Sequence, residues 1–319
     1  MAAEAKDSSA RGGHAVAAPL SSAVSAREAE GKQGDSIENL RAKGRGGRFV
    51  DFAVLARRAA LWMADAVAGV VFPGECRICD GLLATANRVP VCEACLGAFE
   101  PLGPRICAVC GSPWEWHEWP EAAGSLMRDG ERVCRACAER RYGFDRARSF
   151  AHYSGGLVQA ILLLKFERID PLAEWFAARL AELARREHFA EGVDVVVPVP
   201  LHRERQRERG FNQADLIARG VARRLRLPYR PVLLVRTKPR PNKYLLSLEE
   251  RWASVRGAFA ARAGSQVDKQ SVLLVDDVMT TGATLDACAR ALHDAGAKRV
   301  IGLTVARAVR DALPSSGEQ

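Results

Sequence analysis

The chain has 319 residues, 48% hydrophobic and 27% charged, and Lys+Arg 47 against Asp+Glu 38 gives a net charge of +9. This length suggests two domains, and the composition can bury a core without disulfides, which excludes a wholly disordered chain, a collagen and a small disulfide scaffold. The positive excess permits anionic partners such as phosphate esters, nucleic acid or acidic membrane without requiring one.

Residues 1–48 are rich in Ala, Gly and Ser and carry Glu4, Asp7, Glu28, Glu30, Asp35 and Glu38. They hold no apolar run of signal-peptide length, and the acids argue against an organelle transit peptide. The segment reads as a disordered tail, its basic residues too diluted by acids for a nucleic-acid arm. No run of ~18 uncharged apolar residues occurs, so no transmembrane helix is expected. A cytoplasmic, reducing location is the default expectation, and there cysteine clusters are more often metal ligands than disulfides.

Residues 49–72 have helical spacing, with Phe52, Leu55, Ala59, Trp62, Ala66 and Gly69 on one face and Pro73 ending the segment. A helix docking on the rest of the protein fits better than one lying on a membrane, because the polar face is not strongly basic.

Residues 73–142 hold eight of the nine cysteines, as the pairs Cys76/Cys79, Cys92/Cys95, Cys107/Cys110 and Cys134/Cys137. A CxxC turn puts two thiolates on one side of a tight loop, and two such knuckles complete a tetrahedral S4 zinc site. One CxxC also suits a redox dithiol, but four so close together point to zinc, in a double zinc ribbon. Twelve residues separate the first two pairs and 23 the last two, and both gaps can hold a short hairpin. Sequential pairing of the knuckles is the expectation. Interleaved pairing, and a degenerate module with a single filled site, stay open. A full S4 shell leaves no open position, so one or two structural zinc ions are expected. Cys288, between two alanines in a helical pattern, reads as a buried, inert thiol. His117 reads as a loop residue rather than a ligand. Trp114, Trp116 and Trp119 suit packing across the module better than base stacking.

Residues 143–312 alternate strand-like runs, Val193–Val199 and Ser271–Val275, with helical patterns over Leu157–Phe166, Ala173–His188, Ala214–Leu225 and Thr284–Ala295. Such alternation argues for an α/β domain with a mainly parallel sheet flanked by helices. Residues 313–319 read as a disordered C-terminus.

The most informative string runs from Val272 to Thr284. An apolar strand ends in Asp276 and Asp277, a turn follows with Thr280, Thr281 and Gly282, and Ala283 and Thr284 open a helix. Ligands bind at the carboxyl ends of strands in open α/β sheets, and a helix N-terminus favours anions. The turn is a cradle for a phosphate monoester, and two carboxylates beside it suit vicinal hydroxyls. Neither a Walker A loop nor a GxGxxG turn is present. The bland alternative is a pair of acids capping a turn. A second strand ends at Pro198-Val199-Pro200-Leu201-His202 and runs into a loop with Arg203, Arg205, Arg207 and Arg209. Guanidinium forks suit pyrophosphate oxygens. The alternative is a solvated loop, its charge partly offset by Glu204 and Glu208.

The Val272–Thr284 string is similar to the PRPP-binding signature of type I phosphoribosyltransferases. PVPL followed by RGFNQ, Leu164-Lys165-Phe166 upstream, and the cysteine module in front together resemble the ComF family, a double zinc ribbon joined to a phosphoribosyltransferase domain. The resemblance spans about residues 70–308. It implies a type I phosphoribosyltransferase-like fold and an enzyme of the glycosyltransferase class using Mg²⁺ with PRPP. Asp276 and Asp277 would meet the ribose hydroxyls, and Thr280, Thr281, Gly282, Ala283 and Thr284 the 5′-phosphate. Pro200, Leu201, Arg205 and Arg209 would meet the pyrophosphate, with Lys165 nearby. The residues between Arg236 and Phe259 would form a hood, where Asn242 and Ser254 stand in place of the glutamine and asparagine usual in the family. The family association adds DNA uptake, with single-stranded DNA or the uptake machinery as partner. Two rivals remain: a non-catalytic PRPP- or nucleotide-binding protein that binds single-stranded DNA through its ribbons, and a purely structural interaction protein.

Overall fold

The computed structural model describes residues 74–83, 89–116, 126–139, 142–239, 248–265 and 267–308. The readings made for residues 1–48, 49–72 and 313–319, and for His117, Trp119 and Asn242, lie outside the described residues.

The cysteine module forms two knuckle pairs. In the first, Cys76 N donates to Gly81 O at 2.8 Å, and Cys92 caps α1 (Glu93–Gly97), its sulfur accepting from Cys95 N. In the second, Cys107 N donates to Ser112 O at 2.8 Å, a hairpin of β1 (Met127–Arg128) and β2 (Glu131–Arg132) follows, and Cys134 leads into α2 (Arg135–Glu139). The 23-residue gap thus holds the expected hairpin. Arg132 lies 4.5 Å from the ring centroid of Trp114, so this tryptophan packs within the module.

The following residues build one four-stranded sheet. In chain order come β3 (Arg146–His152), α3 (Gly155–Glu167), α4 (Asp170–Arg186), β4 (Val195–Pro198), α5 (Arg203–Arg209) and α6 (Gln213–Leu225). Then come β5 (Leu234–Arg236), α7 (Leu248–Val255), β6 (Phe259–Ala261), β7 (Ser271–Met279), α8 (Ala283–Asp294) and β8 (Arg299–Arg307). The sheet runs β3-β8-β7-β4 with every neighbour parallel, and β5 and β6 form a separate antiparallel pair. This is the expected mainly parallel α/β architecture.

Three local expectations are corrected. β4 starts at Val195 rather than Val193, because its ladder with β7 begins at Val195↔Val272 while the Asp194 carboxylate accepts from Ser271 N. β7 does not stop at Val275. It continues through both acids to Met279, because β8 keeps pairing with it as far as Met279↔Arg307. The arginine loop is a helix over Arg203–Arg209, built from strong helix formers and closed by Gly210 at φ 75, whose N–H returns to Gln206 O.

Alternation along the strands splits the core. Leu273, Val275, Ile301 and Leu303 pack with α3, α4 and α6, and with Cys76, Val91 and Phe99 of the first ribbon. Val272, Leu274 and Val300 pack with α8 and the β5–β6 pair, and with Cys107, Cys110, Cys134 and Cys137 of the second ribbon. Each ribbon therefore extends one face of the same sheet.

The ribbons also close its edge. Leu102 N donates to Phe150 O, His152 N to Glu100 O, and Ala147 N to Val109 O at 2.7 Å. Arg148, buried in β3, pins the junction by donating to Ala108 O at 3.0 Å and to Glu187 Oε2 at 2.8 Å. At the opposite edge Val196 N donates to Pro228 O and Arg230 N to Val196 O. Gly111 has φ +65, and a Cβ there would lie 2.7 Å from Ala147 O. Left-handed backbone and a rigid carbonyl both oppose a side chain. Gly111→Ala should destabilise the chain by about 2–4 kcal/mol, seen as a lower urea midpoint. An unchanged midpoint would show that the second ribbon does not bear on β3.

Candidate functional site

Eight thiols gather into two clusters, Cys76/Cys79/Cys92/Cys95 and Cys107/Cys110/Cys134/Cys137, each with sulfurs within 4.8 Å of one another. The pairing is sequential, not interleaved. Sulfur separations are 3.9 Å for Cys76–Cys95, 3.7 Å for Cys79–Cys92 and 3.7 Å for Cys110–Cys134. A tetrahedron with zinc–sulfur arms of about 2.3 Å has edges of about 3.8 Å. A disulfide would need about 2.05 Å. Backbone N–H groups aim at the sulfurs, Cys92 N at Cys76 and Cys134 N at Cys107, both at 3.3 Å.

The thiols need a cation. Burial opposes it, but the N–H groups of Cys92, Ile78 and Cys79 hold the Cys76 thiol down to about 6. In the second cluster, hydrogen bonds from Cys110, Cys134 and Cys137 hold Cys107 far below the usual thiol range. Cys107, Cys110 and Cys134 in turn push Cys137 far above it. Hydrogen bonds among the four sulfurs, with burial, favour the thiolate at Cys107 and the thiol at Cys137. A divalent ion stabilises all four as thiolates, so the donor set fits structural zinc twice. The first cluster has Cys79 exposed, while all four cysteines of the second are buried.

A second constellation lies at the carboxyl ends of β4 and β7. Asp277 is buried, and its Oδ2 lies 3.1 Å from Lys165 Nζ on α3 and accepts from Gln213 Nε2 at 2.7 Å at the start of α6. Gln213 Oε1 accepts from Arg209 Nη1 at 3.2 Å, and that guanidinium stands 5.0 Å from the ring centroid of Phe166. Lys165, Asp277, Gln213 and Arg209 thus form one connected network.

Asp276 belongs to the other face of the strand. Its Oδ1 accepts from Asp277 N at 2.9 Å, and its charge is felt by Cys288 on α8. Burial, with that charge, pushes the Cys288 thiol well up, as suits an inert core thiol. The turn beyond carries exposed Thr280, half-buried Thr281, and Gly282 at φ 80 as the cap of α8. Thr281 Oγ1 accepts from Ala283 N at 3.3 Å, and Thr281 O accepts from Tyr142 OH at 3.3 Å. The Pro200–Leu201 stretch leaves β4 held by Val199 N to Val275 O, and Asn212 Nδ2 closes on Val199 O at 3.0 Å.

A family model described as a phosphoribosyl transferase domain matches residues 212–317, and one described as a double zinc ribbon domain matches residues 67–138. Competence protein F of Haemophilus influenzae is 28% identical over 225 residues, covering 68% of this chain and 96% of that protein. DNA utilization protein YhgH of Escherichia coli is 30% identical over 232 residues, covering 72% and 94%. Competence protein ComFC of Bacillus subtilis is 29% identical over 210 residues, covering 65% and 79%. The chain belongs to the ComF family.

In this ComF-family chain, Lys165, Arg209 and Asp277 come together through a residue that carried no role in the sequence reading, Gln213. Its place directly after Asn212, the cap of α6, was the available signal. Arg205 is half-buried on α5. Ser254 of the expected hood donates to Arg251 O at 2.8 Å within α7, a local helix bond. Among the described residues no helix is long and apolar enough to cross a membrane. Metal analysis should find two zinc ions per purified chain. Cys137→Ser should remove one of them and lower the urea midpoint more than Cys79→Ser, because only the former opens a buried cluster. Equal midpoints would contradict the burial difference.

Proposed function

We propose that the chain binds Mg²⁺–PRPP at the carboxyl ends of β4 and β7 and transfers its phosphoribosyl group to an acceptor, in the service of DNA uptake or use. The observation that carries the reading is the Lys165–Asp277–Gln213–Arg209 network at the carboxyl end of β7, the strand that leads through Thr280 and Thr281 into the N-terminus of α8. The link to DNA rests on the names of the relatives, two of them competence proteins and one a DNA utilization protein.

Each residue then has a task. Asp277 accepts a hydrogen bond from a ribose hydroxyl, and Lys165, 3.1 Å from its Oδ2, holds that carboxylate in place. Asp276 offers a second acceptor at the strand end. Thr280, Thr281 and Thr284, with the N–H groups following Gly282, hold the 5′-phosphate. Arg205 and Arg209, with the Pro200–Leu201 backbone, receive the pyrophosphate. Mg²⁺ entering with PRPP supplies charge neutralisation on the leaving group. The bond from the anomeric carbon to pyrophosphate breaks, its electron pair leaves on the pyrophosphate, and the acceptor's lone pair forms the new bond. The acceptor's proton passes to solvent. The protein contributes position and electrostatic stabilisation rather than acid–base chemistry.

Calorimetric titration with PRPP and Mg²⁺ should show binding that Asp277→Asn weakens about 10- to 100-fold, or about 1.4–2.7 kcal/mol. No binding by the unaltered chain would refute the proposal. Binding without pyrophosphate release, across purine, pyrimidine, amine and nucleic-acid acceptors, would leave a PRPP sensor and remove the transferase. In a transformation assay Asp276→Asn should lose function, and an unchanged phenotype would remove the pocket from DNA uptake.

A further inference from the structure

Arg307 closes β8 and is only 6% exposed. Its backbone is fixed, paired with Met279 and His152 across the sheet and accepting from Tyr153 N at 2.8 Å. The side chain turns toward the second thiol cluster, with Nη2 4.0 Å from Cys110 Sγ. Its Nε and Nη1 are buried and have no hydrogen-bond partner. No ion pair joins Arg307 to a carboxylate among the described residues. By contrast Arg148, equally buried, is neutralised by Glu187 at 2.8 Å.

A buried guanidinium without a carboxylate calls for another anion, because an isolated charge is strongly disfavoured away from water. The neighbouring anion is the cluster itself. Four thiolates around one divalent zinc leave a net charge of about −2. At the first centre Cys79 is exposed and water screens that charge, whereas the second centre is sealed on all four ligands. The two orphans therefore explain each other: a buried cation without a counter-ion, and a buried anionic centre that water does not reach.

We propose that Arg307 is the charge partner of the second zinc centre, a positioning residue that holds the zinc–thiolate cluster by neutralising it from the end of β8. It acts on Cys110 and through it on the metal, and the first centre has no share in it. The inference depends on zinc at Cys107, Cys110, Cys134 and Cys137. It is independent of whether the chain binds PRPP.

Zinc release from the full-length chain to a chromogenic chelator tests it. The Cys79→Ser chain, which retains only the second centre, assigns the kinetic phases. Arg307→Met should release one of the two zinc ions about 10- to 100-fold faster, the range for loss of an outer-shell partner, with the other phase unmoved. Arg307→Lys, which keeps the charge, should restore slow release. Cobalt in the second centre should show shifted thiolate-to-metal charge-transfer bands in Arg307→Met and not at the first centre. Unchanged release in Arg307→Met would overturn the proposal. So would equal acceleration of both phases, which marks general loosening, or Arg307→Lys releasing zinc as fast as Arg307→Met, which marks packing rather than charge. If Arg307→Met fails to fold, Arg307→Gln, which also removes the charge, takes its place in the comparison with the same outcomes.

Discussion

The free edge of β3 is the contact on which the structure rests. A parallel sheet exposes unpaired N–H and C=O groups along its outer strands, and these must be covered. β3 carries Arg146, Arg148 and Ser149 in seven residues, so it has little apolar surface with which to hold its own place. The groups are met by the cysteine module: Glu100 and Leu102 beside the first knuckles, and Val109 between two ligands of the second. Their backbone positions are set by the thiol clusters. The metal module is thus the outer layer of the sheet as well as a neighbouring unit. Ribbon residues accordingly enter both hydrophobic faces, Cys76 and Phe99 on one and Cys107 and Cys110 on the other.

The continuation of β7 through its acids matters for chemistry. Consecutive strand residues point to opposite faces. Asp277 therefore meets α3 and α6, where Lys165 and Gln213 wait, while Asp276 meets the α8 side, where Cys288 lies. Two adjacent acids in sequence become two acids in different environments. One is buried and already balanced by a lysine, and the other is half-buried ahead of the Thr280–Gly282 turn.

Spacing made much of this legible. Four CxxC pairs mark a metal module, because short-range geometry alone brings each pair together, whereas which pairs share a centre is settled only by the fold. Four helical patterns fall on α3, α4, α6 and α8, because their apolar periodicity is local. The order strand, threonine-glycine turn, helix after Val272 is legible as well, although the strand runs past both acids to Met279 before the turn begins. What escaped was long-range. Arg148 bridges to Ala108 and Glu187, Gln213 reaches Asp277, and Arg307 reaches Cys110 almost two hundred positions back. No periodicity announces such pairs. The Arg203–Arg209 helix was missed for a different reason. It has no apolar face, so only residue propensity and Gly210 marked it, and charge drew the eye to a loop. β3 escaped for want of β-branched residues, since its strand state is imposed by β8 on one side and the ribbons on the other.

The chain that leaves the second thiol cluster is tied to the turn before α8. Residues leaving the second ribbon run directly beneath it: Tyr142 stacks on Phe144 at 4.6 Å, and its hydroxyl donates to Thr281 O. Gly143 N donates to Asp286 Oδ1 at 2.6 Å, fixing the first turn of α8. Gly282 has φ 80, a backbone conformation that side chains rarely adopt, and a Cβ there would press on Met279 and Tyr142. A cradle for phosphate works only if its N–H groups already point inward before the ligand arrives, since reorientation on binding would consume the stabilisation it provides. Here the turn and the first turn of α8 are held by Tyr142 and Gly143, which follow the last ligand of the second thiol cluster by only a few residues. An S4 centre with no open coordination position would in this way bear on the proposed site without touching it.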